Sequence, residues 1–216
     1  MMSNQRRLPL FPLNTVLFPQ AAIPLQIFEE RYKLMLEECL ESDSRFGVTL
    51  IREGAEVGEP AVPHDVGTVA RIIQVNRIEG DRVFVSAIGE RRFRVIEITQ
   101  RRPFISAQVE LLDEFGDEPV PENLIAEATD LFGEYARYSV GTTGGWVRAT
   151  RVPSDPAHLS YHIAGKIQMD LSDRQRLLEQ ESAQQRLSAE IDLMKRNTRV
   201  LRQQMAWQLL SRFSRQ

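Results

Sequence analysis

The 216-residue sequence has few of the residues that usually carry covalent or metal chemistry, with one cysteine and three histidines. A single cysteine cannot form an intrachain disulfide, and Cys39 falls on the apolar face of the first predicted helix. A packing role and a reducing, cytoplasmic setting are therefore expected. No apolar run reaches the length of a membrane span and no N-terminal signal region is present, so we predict neither a transmembrane segment nor export. The net charge of −3 provides no global field directed at nucleic acid or a membrane.

The histidines and glycines are also poorly placed for catalysis. His158 and His162 lie one helical turn apart, but residue 159 is Leu where a zinc protease needs Glu, and His64 lies in a distant predicted loop. The glycine-rich residues 141–145 lack the lysine and the preceding strand of a phosphate-binding loop. We therefore expect no metal site, no cofactor and no catalytic residue.

The first strongly patterned stretch is residues 8–32, which is apolar and contains four prolines, at positions 9, 12, 19 and 24. Because proline fixes φ and has no N–H, we expect short extended pieces at 8–11, 15–18 and 24–28, joined by bends. The period then changes at Glu29. Apolar residues recur at helical spacing from Tyr32 to Leu40, which predicts an amphipathic helix that ends near residues 42–43.

Segments that alternate apolar and polar residues follow, at 45–51, 67–78, 82–88, 91–99 and 104–112. Residues 79–81, Glu-Gly-Asp, predict a hairpin turn, and Gly89 predicts a break between two strands. The acidic residues 53–65, rich in Gly and Pro, predict an exposed loop. Six or more short strands with one early helix and no βαβ alternation predict an α+β protein with a closed or nearly closed, mostly antiparallel β barrel.

The composition shifts in the acidic, proline-bounded residues 113–121, so we predict a barrel subdomain at 1–116 and a helical subdomain at 117–216. Helices are predicted from Pro121 to about Ser139 and from Asp155 onward, followed by two that begin at capping boxes starting with Ser172 and Ser182. The last helix is the longest, and its apolar period is close to that of a coiled-coil seam. We expect it to dock on its own domain or on a partner, including a second copy of the chain.

Three segments of this sequence resemble the Lon protease N-terminal domain. These are LPLFPL followed by FP and PLQIFEERY, then GTVARIIQVNRIEGDRVFVSAIGERRFRV, and finally LSYHIAGKIQMDLSDRQRLLE. The resemblance covers nearly the whole chain from Leu8 and implies a PUA-like barrel followed by a helical subdomain. Lon enzymes continue into ATPase and peptidase modules, and none of the three lysines lies in a sequence resembling the Lon catalytic dyad, so the resemblance is to the recognition part alone.

The resemblance implies a non-catalytic module that binds unfolded or extended polypeptide and acts as an adaptor or regulator of proteolysis or chaperoning. Apolar grooves that the helices leave uncovered would suit such a ligand. The alternative is a PUA-like barrel that binds RNA or a small ligand, because such barrels include RNA binders. It would use a basic cluster whose guanidinium groups suit phosphate. The cluster consists of Arg91, Arg92, Arg94, Arg101 and Arg102, in which strand alternation places Arg92 and Arg94 on one face, most often a solvated one.

Overall fold

The computed structural model describes residues 4–58, 61–78, 80–113, 119–141 and 152–213. Its strands are β1 (Gln5–Leu13), β2 (Ala22–Ile27), β3 (Arg45–Glu53), β4 (Val62–Pro63), β5 (Val66–Ile78), β6 (Arg82–Gln100) and β7 (Ile105–Leu111). Its helices are α1 (Glu30–Glu41), α2 (Glu122–Gly141), α3 (Pro156–Ala164), α4 (Leu171–Glu179) and α5 (Ala183–Phe213).

The chain divides into two compact units. The β unit comprises Met1–Glu114 with Met169–Glu179, and the helical unit comprises Phe115–Gln168 with Gln180–Gln216. Helix α4 therefore belongs with the strands, although the sequence pattern placed it in the helical part. The predicted boundary at 116–117 and most of the predicted loop at 141–145 lie outside the described residues, so that boundary stays a prediction.

A closed ring of five strands forms the barrel of the β unit, in the order β1-β7-β6-β5-β3. Every pairing in the ring is antiparallel except the one that closes it, in which Leu10 to Leu13 of β1 run parallel to Gly47 to Leu50 of β3. The α+β class and the mostly antiparallel sheet are confirmed. The parallel closing pair is additional to what the alternation pattern predicted.

Pro9 and Pro12 do not interrupt β1, which continues to Leu13. The expectation that the first extended piece ends at residue 11 is therefore wrong. Residues up to Leu10 pair with β7, and residues from Leu10 onward pair with β3. Each of Pro9 and Pro12 therefore has a ladder partner on one side only, which a residue without an N–H can tolerate. Residues 15–18 form no strand. Gly89 likewise lies inside a continuous 19-residue β6 rather than at a break.

The barrel interior is filled around one aromatic ring. Phe93 is fully buried among Leu8, Leu10, Val69 and the buried residues of β7. A Cβ atom placed on Gly47 or on Gly67 would lie 2.7 Å from the Cζ atom of Phe93. Strands β3 and β5 can therefore pass this close to the ring only because both positions lack a side chain.

We predict that Gly67→Ala destabilises the β unit, because the new Cβ would lie 2.4 Å from the backbone oxygen of Val48, which cannot move aside without shifting β3. The expected loss is about 2 kcal/mol of unfolding free energy, measured by urea denaturation followed by far-UV circular dichroism. Gly133→Ala is the control, since no atom lies within 4 Å of its added Cβ. Equal stability of the two variants would contradict the proposed packing.

On the N-terminal side of Gly89, β6 leaves the barrel wall and forms the middle strand of a three-stranded sheet. The first half of β6 pairs with β2 on one side and with the end of β5 on the other. Helix α1 covers one face through the buried residues Tyr32, Met35, Leu36 and Cys39, which pack with the inward residues of the sheet. The predicted packing role of Cys39 is confirmed, and burial raises the pKa of its thiol to about 12.

In the helical unit, α5 packs along α2 and α3. Lys195 pairs with Glu127 of α2 at 2.8 Å, and Arg202 pairs with Glu134 of the same helix. Of the two expected docking partners of the last helix, the structure shows its own unit, and a contact with a second copy stays a prediction. Side chains from residue 208 onward lie outside the described part of the chain.

The helix starts agree with the capping pattern at one of the two predicted boxes. Ser182 Oγ accepts from the backbone N–H of Gln185, whose side chain accepts from the N–H of Glu181. Ser172 is not the cap of α4, because Asp170 accepts instead, from the backbone N–H of Asp173 and from the Ser172 hydroxyl. These hydrogen bonds lower the pKa of Asp170, since they favour its charged form.

Two charged residues, Arg186 and Glu190, are fully buried one turn apart on α5. Arg186 Nε donates to Ser160 Oγ at 2.9 Å, Nη1 donates to the Gln180 carbonyl at 3.1 Å, and its guanidinium lies 4.2 Å from the Tyr161 ring centroid. Neither carboxyl oxygen of Glu190 has a hydrogen-bond partner in the part of the chain that the structure describes. Burial raises the pKa of Glu190 well above its usual value, partly offset by the charge of Arg186.

Because the folded-state pKa of Glu190 is raised, its contribution to stability is full below the unfolded-state pKa and is lost as pH rises through the folded-state pKa. We therefore predict that the melting temperature of the helical unit falls between weakly acidic and weakly alkaline pH, and that Glu190→Gln flattens this dependence. Thermal unfolding over that pH range checks it. Asp192→Asn, an exposed change on the same helix, should keep the wild-type slope. A flat wild-type profile would contradict the assignment.

Candidate functional site

The arginine cluster predicted as a phosphate site is not one surface, because Arg92 is buried and only 1% exposed. Its Nη1 donates to the carbonyl of Leu178 at 2.9 Å, near the C-terminal end of α4. On the same helix, Gln175 Nε2 donates to the Val66 carbonyl of β5 at 3.0 Å. Arg92 thus fastens α4 to the outside of the barrel wall. The expectation of a solvated side chain at this position is wrong because α4 covers it.

The other four arginines are separated along the sheet. Arg91 pairs with Asp113 at 3.2 Å. Arg94 lies in the middle of β6 and is exposed, whereas Arg101 and Arg102 are exposed beyond its end. Arg94 and Arg101 lie seven positions apart along the extended chain, which at about 3.3 Å per residue amounts to roughly 23 Å. They cannot converge on a single phosphate, and an RNA-binding role for these residues stays a hypothesis.

We predict that Arg92→Met loosens α4, because the Leu178 carbonyl loses its charged donor in a buried position. The expected cost is about 2 kcal/mol, together with faster amide hydrogen exchange in residues 171–179, measured by mass spectrometry. Arg94→Met is the matched control, since Arg94 lies two residues further along β6 and is exposed. Unchanged exchange in α4 of the Arg92 variant would contradict an anchoring role.

A groove of about 280 Å³ lies between α1 and the tip of the β5–β6 hairpin. It is lined by Lys33, Leu36, Glu37 and Leu40 of α1, by Arg77 and Ile78 of β5, and by Asp81, Arg82 and Val83 at the start of β6. Leu36 and Val83 are buried and form the floor, whereas Leu40 and Ile78 remain 42% and 40% exposed. The groove therefore offers an apolar surface to an external ligand.

The hairpin tip is held against α1 by local geometry and an ion pair. Gly80 and Asp81 both have positive φ, 81° and 59°, which suits glycine and is tolerated by aspartate. Residue 79 of the predicted turn lies outside the described residues. Lys33 Nζ donates to Asp81 and also to Glu30, at 2.8 Å, and these hydrogen bonds raise the pKa of Lys33. The charges of Lys33 and Asp81 are thus mutually satisfied at the rim of the groove.

Arg77 and Arg82 differ from most cations of the β unit. Eight described cations of the unit are ion-paired at 3.2 Å or closer, namely Arg6, Arg7, Arg31, Lys33, Arg45, Arg71, Arg91 and Arg176. Neither Arg77 nor Arg82 has a hydrogen bond or ion pair with any described residue, and both are exposed. Two guanidinium groups without a hydrogen-bond or ion-pair partner among the described residues therefore line the groove beside its apolar floor, and Glu37 lines the opposite wall.

Sequence reasoning missed this groove. Leu40 ends the apolar stripe of α1 and Ile78 ends the alternation of β5, so both looked like the margins of a buried core. Their partial exposure depends on α1 and the hairpin tip ending near each other, which no local pattern encodes. The available signal was an apolar residue at or near the C-terminal end of each element, Leu40 in α1 and Ile78 in β5.

In the described ranges, no group of three or more His, Cys, Asp or Glu side chains is placed to hold a metal ion. His162 packs edge-on against Phe132 with 5.6 Å between ring centroids, and burial lowers its pKa. His158 lies 3.5 Å from Asp155, the residue that caps α3. Within the same ranges, no helix has the length and apolarity needed to cross a membrane.

The fold defines the class of α+β proteins that carry a closed, mostly antiparallel barrel with an added helical unit. A family model described as the substrate-binding domain of ATP-dependent protease La (LON) matches residues 7–196. The chain therefore belongs to the LON substrate-binding domain family.

Relatives of known sequence include Lon proteases. The chain is 26% identical to Lon protease 2 of Myxococcus xanthus over 202 residues, which is 90% of this chain and 24% of the relative. It is 28% identical to the Lon protease of Escherichia coli (strain K12) over 209 residues, covering 92% of this chain and 26% of the relative. The chain thus spans about a quarter of the length of these relatives.

Solved structures of Lon N-terminal domains have a similar fold. The Lon N-terminal domain protein from Xanthomonas campestris has a TM-score of 0.66 and 27% identity, covering 85% of this chain and 95% of that chain. The N-terminal domain of Mycobacterium avium complex Lon protease has a TM-score of 0.65 and covers 88% of this chain and 98% of that chain. At 18% identity, the second similarity concerns the fold alone.

Proposed function

We propose that this chain is a substrate-recognition module that binds unfolded or extended polypeptide and performs no catalysis itself. The observation that carries the proposal is the match of residues 7–196 to the LON substrate-binding domain. The groove between α1 and the hairpin tip supplies a concave, partly apolar surface in the same unit, and surfaces of this kind suit polypeptide side chains.

The groove is favoured over addition of the ligand as an extra strand. Within the described residues, β2 pairs with β6 alone and so leaves one edge open. Pro24 lies in the middle of that edge strand and has no N–H to donate, which is a common protection against strand addition. Binding through apolar side chains, rather than through the backbone ladder, is therefore the mode that this surface supports.

We further infer that the module serves as an adaptor or regulator, holding a segment of a client for a protease or chaperone in the cytoplasm. Its relatives are Lon proteases, and its one cysteine is a buried thiol, which suits a reducing compartment. Self-association through α5 would use the exposed apolar side chains of Val200 and Trp207, the latter 75% exposed.

The proposal predicts that the purified chain binds denatured model polypeptides, measured by fluorescence anisotropy, and that Leu40→Ser with Ile78→Ser weakens binding about tenfold. The expected loss follows from removing two half-exposed apolar side chains that a ligand would finish burying. Val57→Ser with Ile96→Ser is the matched control, because both residues are exposed and lie outside the groove. ATPase and peptidase assays on the same preparation should give background rates.

Absence of any polypeptide binding at high micromolar concentration, with the fold intact by circular dichroism, would overturn the proposed function. Binding that is equally strong in the groove variant and the control variant would keep the function but move the site elsewhere.

A further inference from the structure

We propose that the groove selects polypeptide segments in which an apolar side chain is flanked by carboxylates. The inference rests on the proposed function and adds a ligand class to it. In this arrangement the apolar side chain contacts Leu36, Leu40 and Ile78, and the carboxylates pair with Arg77 and Arg82.

The state of the neighbouring charges is the first argument for this ligand class. Of the three cations that line the groove, Lys33 is already bound by Asp81 and Glu30, so its charge is compensated. The guanidinium groups of Arg77 and Arg82 have no such partner among the described residues, although most cations of the same unit do. Among the described residues of the hairpin wall, the uncompensated charge is therefore positive and suits an anionic ligand.

Strand register supplies the second argument, because it fixes the two arginines beside the apolar lining. Arg77 pairs with Val83 across the hairpin, and Ile78 pairs with Arg82. Cross-strand neighbours have Cβ atoms about 5 Å apart, so each arginine side chain leaves the backbone beside an apolar residue that lines the groove. A carboxylate one or two residues away from the bound apolar side chain, at about 3.3 Å per extended residue, comes within reach of an arginine.

The opposite wall of the groove, on α1, carries a carboxylate. Glu37 is exposed on α1, and it has no described hydrogen-bond or ion-pair partner. It disfavours a carboxylate on the helix side and directs the acidic part of the ligand toward the hairpin. Segments with basic flanks would meet two guanidinium groups on one wall and a single carboxylate on the other, which is the weaker arrangement.

The test compares short unstructured peptides that share one apolar centre and differ only in their flanks, which are Asp, Asn or Lys. Binding to the full chain is measured by anisotropy at low and at elevated salt. We expect the Asp-flanked peptide to bind about 3- to 10-fold more tightly than the Asn-flanked one at low salt, with the difference shrinking as salt screens the charges.

Arg77→Gln with Arg82→Gln should abolish this preference and retain binding of the Asn-flanked peptide. Arg94→Gln is the matched control, because Arg94 is also exposed, lies on the same strand as Arg82, and does not line the groove. It should keep the full preference. Since all three arginines are exposed, circular dichroism of the variants should match the wild type.

Each other outcome overturns the inference in a distinct way. Equal affinity for the three peptides leaves polypeptide binding standing and removes the acidic preference. Binding of no peptide and of no denatured polypeptide removes the proposed function as well. A preference that survives in the double variant, or is lost in Arg94→Gln, places the selectivity at another site. Binding of an RNA oligomer that displaces the peptide and requires Arg77 and Arg82 would identify a nucleic-acid site instead.

Discussion

The packing of one ring, that of Phe93, sets the dimensions of the barrel on which the β unit depends. Strands β3 and β5 pass so close to this ring that Gly47 and Gly67 have no room for a Cβ atom. Burying an aromatic ring is strongly favourable, and here β3 and β5 carry glycine at the positions where their backbones come closest to the ring. The stability of the barrel therefore depends on glycine at positions 47 and 67.

Strand β6, which carries Phe93, also leads to the anchor of α4 and to the candidate groove. In β6, Phe93 points into the barrel, so alternation turns its neighbour Arg92 to the outside, where it donates to the Leu178 carbonyl of α4. Toward its start, β6 leaves the barrel and pairs with the end of β5 in the hairpin that forms one wall of the groove. A slip of one residue in β6 would exchange the inward and outward side chains along the whole strand.

The local sequence pattern predicted the secondary-structure elements well but the contacts between them poorly, because those contacts join residues that are distant along the chain. The stripe on α1, the β5–β6 hairpin and the mostly antiparallel barrel follow from periodicity, which neighbouring residues encode. The burial of Arg92 depends on Leu178, 86 positions away along the chain. The parallel pairing of β1 with β3, which also lets β1 keep its prolines, is a tertiary contact of the same kind. The groove escaped prediction for this reason too, because Leu40 and Ile78 meet only after α1 has docked on the sheet.

In the proposed binding mode, affinity and selectivity come from different groups of the groove. Apolar contact with Leu40 and Ile78 provides a driving force that any sequence with a bulky aliphatic or aromatic side chain can use, since the hydrophobic effect is not directional. Arginines at the rim would add an electrostatic interaction energy that depends on the sign of the ligand's charge. Charge complementarity of this type contributes more to selectivity and association rate than to affinity. Because Lys33 is already neutralised by Asp81 and Glu30, the proposed selectivity would rest on Arg77 and Arg82. A module built in this way would hold many unfolded chains weakly and discriminate among them by the charges that flank their apolar segments.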